Sequence, residues 1–126
     1  MKKKIICFDL DNVLCKTRKS NYIKSIPLKK NINLVNDLFN SGFYIKIFTA
    51  RYMGRNNDNR LKAIKQAKKI TEIQLKKWKI NYHKLILGKP SYDIYVDDKS
   101  LFYDKNWVIK LKKNYYEKNK RIYKIV

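Results

Sequence analysis

The alternation of apolar and polar stretches divides the chain into short strands and two amphipathic helices. Residues 3–9 hold the run Ile5-Ile6-Cys7-Phe8, β-branched and aromatic, which predicts a buried strand. Leu10 to Lys29 is polar, contains Pro27, and reads as a loop with a small excursion. Between Lys30 and Asn40, apolar Ile32, Leu34, Val35, Leu38 and Phe39 recur at helical spacing, and Ser41-Gly42 closes that helix. Phe43 to Phe48 predicts a second strand and Thr49 to Asp58 a loop. Asn59 is placed to cap a following helix whose inward stripe would be Leu61, Ile64, Ala67, Ile70 or Thr71, Leu75 and Trp78, with a break or second start at Thr71-Glu72. Lys84 to Leu87 and Tyr92 to Val96 predict a third and a fourth strand, and Ser100 to Tyr103 a short helix. The tail, Trp107 to Val126, fits neither period cleanly.

Strands alternating with helices imply an α/β fold, and we expect one domain over residues 1–126 with a mainly parallel central sheet. In such sheets ligands bind at the carboxyl ends of the strands. Composition narrows the class further. The chain has 126 residues, 44% of them hydrophobic and 13% aromatic, which suits a folded domain with a core of its own. No apolar run is long enough to span a bilayer, and the apolar stretch after the N-terminal lysines is cut short by Asp9 and Asp11. Two cysteines, Cys7 and Cys15, suit a reducing compartment, so a cytoplasmic location is expected. Thirty-one Lys and Arg against ten Asp and Glu give a net charge of +21. That field attracts anions, and it raises nucleic acid as a partner. Lysines occur in nearly every segment while Arg is scarce, which favours a general bias over a dedicated binding patch.

Four clusters fall at predicted strand ends. Phe8-Asp9-Leu10-Asp11 sets two carboxylates on one side of an extended chain, because side chains alternate with period two. An ionised Asp9 can attack phosphorus while Asp11 handles the leaving group's proton, with a hard cation such as Mg²⁺ between Asp9 and the phosphate. Thr49, ending the second strand, can hold a phosphate oxygen, and Arg51 beyond it can reach toward substrate. Lys89, fixed between Gly88 and Pro90, can offset charge on the nucleophile and the phosphoryl group. Asp97 and Asp98 end the fourth strand, as a further metal carboxylate or as a helix cap.

The order of these clusters resembles that of the haloacid dehalogenase (HAD) superfamily of phosphatases, over Ile5 to Lys99. The resemblance implies a three-layer Rossmann-like fold with a minimal cap or none. It also implies an aspartyl-phosphate intermediate on Asp9, and Asp11 as acid/base offering its backbone carbonyl to Mg²⁺. Thr49 and Lys89 would hold the phosphoryl group. Asp98, with Asp97, would complete the metal site, Asp98 being the preferred ligand.

Thr49 to Arg55, Thr71 to Trp78 and Gly88 to Lys99 are similar to the small capsule-biosynthesis phosphatases of the EcbF/BcbF-like group, which implies a sugar phosphate of surface-polysaccharide synthesis as substrate. Asn12-Val13 departs from the family's usual Gly-Thr. Met53 to Asn59, containing Arg55, is the candidate flap and substrate contact. Two other readings stand beside this one: a phosphatase of nucleotide or nucleic-acid ends, and a non-catalytic basic binding domain.

Overall fold

A computed structural model describes residues 4–113. Strand β1 (Ile5–Phe8) leads into a loop that holds the two-residue strands β2 (Cys15–Lys16) and β3 (Ile26–Pro27), paired antiparallel. Helix α1 (Lys29–Asn40) follows, then β4 (Tyr44–Thr49), α2 (Arg60–Lys77), β5 (Lys84–Leu87) and the short α3 (Trp107–Leu111). The main sheet has the order β1-β4-β5, all parallel, with Phe8 opposite Ile47 and Thr49 opposite Leu87. The helical crossovers α1 and α2 make the parallel pairings possible, since parallel neighbours need a connection of about a dozen residues or more. The chain is therefore an α/β fold with a three-strand parallel sheet and packed helices. None of the described helices is long and apolar enough to cross a membrane.

The elements end where local chemistry ends them. After α1, the Ser41 Oγ donates to the Asp37 carbonyl at 2.7 Å, and Gly42 takes φ 98°, which lets Phe43 turn back into the core. The Asn59 side chain accepts from the Lys62 N–H at 3.1 Å and caps α2 as expected. Leu10, Leu14, Val35, Leu38, Phe43, Ile45, Ile47 and Leu75 are fully buried and form the centre of the core. His83 precedes β5, and its Nδ1 accepts from the Ile45 N–H at 3.0 Å while its ring stacks between Phe39 and Tyr44. It serves the sheet.

Several sequence expectations need correction. Tyr92 to Val96 forms no strand and is exposed throughout, with Val96 at 90%. Only four residues separate it from β5, too few for a parallel crossover to that neighbour. Ser100 to Tyr103 is not helical; the helix comes later, at Trp107. Helix α2 runs unbroken through Thr71-Glu72, and its buried positions are Ala63, Ala67, Thr71, Gln74 and Leu75. Leu61, expected inside, is 81% exposed. The tail beyond Lys113 lies outside the described residues.

Candidate active site

The carboxyl rim of the parallel sheet gathers Asp9 just past β1, Thr49 at the end of β4, and Lys89 two residues past β5. Asp9 Oδ1 accepts from the Leu10 N–H at 2.9 Å, and the Lys89 Nζ stands 3.8 Å from the same oxygen. The Asp9 side chain keeps 37% of its exposure, whereas that of Lys89 keeps 7%. Burial raises the Asp9 carboxyl above its ordinary value; the Lys89 charge and the Leu10 bond pull against it, and the charge of Asp11 adds to the rise. For Lys89, burial works downward but is outweighed by the hydrogen bond it donates to Tyr92 and by the Asp9 charge, so its ammonium form is favoured. The arrangement is an accessible carboxylate held by a nearly buried cation. Gly88 makes it possible: its φ of +83° turns the chain sharply after β5.

The Thr49 side chain is 1% exposed, and its Oγ1 accepts from the Arg51 N–H at 3.2 Å. The Lys89 N–H donates to the Thr49 carbonyl at 3.1 Å, which links the two rim positions through backbone. Thr49 is thus at the rim as expected, with its hydroxyl turned into the local turn.

Asp11 is anchored from beneath. Arg51 is 1% exposed. Its Nε lies 3.0 Å from Asp11 Oδ2, and its Nη2 lies 3.0 Å from Asp11 Oδ1. The Thr17 hydroxyl donates to Asp11 Oδ1 at 2.5 Å. Arg51 Nη1 donates to the Gln74 Oε1 at 2.5 Å and the Thr71 Oγ1 at 3.3 Å, and Gln74 Nε2 donates to the Tyr22 carbonyl at 2.7 Å. The guanidinium also lies 5.0 Å from the centre of the Tyr22 ring. Arg51 was expected to reach substrate; it points inward instead and pairs with Asp11. Thr71 was an alternative for the inward stripe, whereas Gln74 was not read from the sequence, although two polar positions three apart on the inward face of a helix signal a buried polar partner.

The turn carrying these aspartates is tight. The N–H groups of Val13, Leu14 and Cys15 all converge on the Leu10 carbonyl. Asn12 sits at φ 66°, a conformation Asn tolerates better than most residues, and its Oδ1 accepts from the Thr17 N–H at 3.2 Å. Buried Cys15 lies beneath, its Sγ 3.5 Å from Asp11 Oδ1; burial, then the Asp11 charge, pushes its thiol pKa up.

The metal expectation fares differently. Asp97 and Asp98 stand on the exposed segment after Pro90, where Asp97 Oδ1 accepts from the Lys99 N–H at 3.0 Å. No group of three or more His, Cys, Asp or Glu side chains suited to a metal occurs among the described residues. The oxygens of Asp11 are engaged by Arg51 and Thr17. Asp9, Asp11, Asp97 and Asp98 are therefore not gathered into one carboxylate cluster among the described residues. Arg55 is exposed at the expected flap, with Nη2 donating to the Ser20 carbonyl at 2.6 Å and its guanidinium 4.5 Å from the Tyr52 ring centre. A groove of about 460 Å³ between the Ile23 turn and α2, lined by Ile70, Ile73 and Trp78, contains none of the rim residues.

No protein-family model and no curated protein matches the chain. Among solved structures, it is similar to a target protein from Vibrio cholerae, with a TM-score of 0.76 and 25% identity over 96% of this chain and 97% of that one. A chain of the Pnkp1/Rnl/Hen1 RNA repair complex aligns with a TM-score of 0.48 and 17% identity, and the present chain spans 32% of its length. The first of these likenesses carries the α/β fold.

Proposed function

We propose that the chain hydrolyses phosphomonoesters with Asp9 as the nucleophile. One observation carries the reading: a partly exposed carboxylate at the carboxyl end of a parallel strand, one oxygen fixed by a backbone N–H and paired with a nearly buried lysine. The free oxygen of Asp9 attacks phosphorus, the bond to the leaving oxygen breaks, and the Lys89 ammonium offsets charge on the equatorial oxygens. Water then cleaves the acyl phosphate and returns Asp9 to its starting state. Asp11, held as an acceptor by Arg51, takes the proton of that water. The protonated Asp11 supplies the proton to the next leaving alcohol. The resemblance to capsule-biosynthesis phosphatases supports a sugar phosphate as substrate, and the charge of +21 supports anionic substrates in general.

Magnesium dependence belongs to the proposal as a measured variable. Phosphate release should be assayed on sugar phosphates, nucleotides and 5′- or 3′-phosphorylated oligonucleotides, with Mg²⁺ and with EDTA. Release from sugar phosphates that disappears in Asp9→Asn supports the reading. Preference for oligonucleotides with steep salt dependence favours an end phosphatase. No release from any ester, with and without Mg²⁺, overturns the enzyme reading and leaves a binding domain.

A further inference from the structure

The segment after Pro90 holds side chains that neither the core nor the sheet uses. Tyr92 and Tyr95 are each 45% exposed, with ring centres 4.9 Å apart. Both rings flank Lys89, whose Nζ lies 5.1 Å from the centre of Tyr92 and 4.8 Å from that of Tyr95. The same Nζ is 3.8 Å from the Asp9 carboxylate. The start of the segment is tied to the flap, since Ser91 Oγ donates to Asp58 Oδ1 at 2.6 Å. Two half-exposed aromatic rings therefore stand one lysine away from the nucleophile, on a stretch anchored at its origin.

We propose that Tyr92 and Tyr95 form the leaving-group wall of this site and recognise the ring of a sugar phosphate. The inference rests on the phosphatase reading and adds the specificity determinant to it. A phosphoryl group held by Asp9 and Lys89 lies beside the two rings that flank that lysine. A pyranose joined to phosphate directly or through one carbon then brings its apolar C–H face onto a ring. Aromatic faces favour such contacts, and a phenolic hydroxyl can donate to a sugar hydroxyl. A nucleotide base is separated from its phosphate by a whole ribose and falls beyond the wall. The proximity of the rings to Lys89 thus selects the sugar ring over the base.

The test compares Tyr92→Leu, Tyr95→Leu and Tyr95→Phe with the parent on glucose 1-phosphate, glucose 6-phosphate, glycerol 3-phosphate and AMP. The ratio of kcat/KM for the glucose phosphates to that for glycerol 3-phosphate should fall about tenfold in the leucine variants, chiefly through KM, as expected for a lost aromatic contact. Tyr95→Phe keeps the ring and should keep most of that ratio. A ratio unchanged within about twofold in both leucine variants overturns the wall, as does a larger loss on AMP than on the glucose phosphates. Calorimetric binding of glucose 6-phosphate to Asp9→Asn, with and without Tyr95→Leu, needs no turnover. Loss of hydrolysis by the parent protein would end the phosphatase reading, whereas equal affinities in the two Asp9→Asn backgrounds would end this one.

Discussion

Replacing Arg51 with Met tests whether the site is built on a buried ion pair. The guanidinium is fully buried, and the side chain of Asp11 keeps 18% of its exposure. Met fills a similar volume but donates nothing, so Asp11, Gln74 Oε1 and Thr71 Oγ1 lose their Arg51 donors together. Removing one partner of a buried pair costs about 3–5 kcal/mol, because the remaining charge stays desolvated. Against a domain stability of about 5–15 kcal/mol that is a large fraction, and it should lower Tm by about 10–20 °C. Circular dichroism melts of Arg51→Met, Asp11→Asn and the double variant measure it. Asp11→Asn removes the stranded charge, so the double variant should recover about 2 kcal/mol or more relative to the sum of the single losses. A loss below about 1 kcal/mol for Arg51→Met, or strictly additive losses, would refute the buried pair as the anchor of Asp11.

Other outcomes follow from the same geometry. Asp9→Asn should abolish phosphate release. Because burial raises the Asp9 carboxyl above its ordinary value of 3.8, the folded state prefers the protonated form. That stabilisation is full below the ordinary value and is lost as pH rises through the raised one. The stability of Asp9→Asn relative to the parent should therefore grow between pH 3 and pH 7 in urea titrations, and a flat difference would count against the desolvated carboxylate. Gly88→Ala places a Cβ at 2.7 Å from Arg60 Nε in a backbone with φ +83°, so it should cost about 1 kcal/mol or more. Adding Arg60→Ala should relieve the contact but not the backbone strain, and full recovery would show that no strain existed. Asn59→Ala removes the cap of α2 and should cost about 1 kcal/mol, read as a lower urea midpoint at constant slope.

The sheet was legible because its strands are short apolar runs bounded by polar turns. Ile5–Phe8, Tyr44–Thr49 and Lys84–Leu87 fall within a residue or two of the ranges read from pattern. The inward face of α2 was less legible. The stripe read from the pattern holds Ala67, Leu75 and, as an alternative, Thr71, all buried, but it also selects Leu61, which is exposed, and it omits Ala63 and Gln74, which pack inward. Pattern reading assumes that polar means outward, and a buried guanidinium reverses that rule locally. Tyr92 to Val96 misled for the opposite reason. Its alternation is strand-like, but alternation states no partner, and pairing depends on connection length. Asp9, Thr49 and Lys89 were legible as strand-end residues, and the sheet gathers them at one rim; Asp97 and Asp98 depended on the strand that does not form.

The brace behind Asp9 lies far away in sequence. Among the described residues β1 has a single sheet neighbour, β4, and the ring of Phe8, immediately before Asp9, meets Trp107 edge-on at 6.4 Å. Trp107 begins α3, and Leu111 at its far end is also buried in the core. Helix α3 thus works as a buttress, and without it Asp9 would stand on a strand supported from one flank.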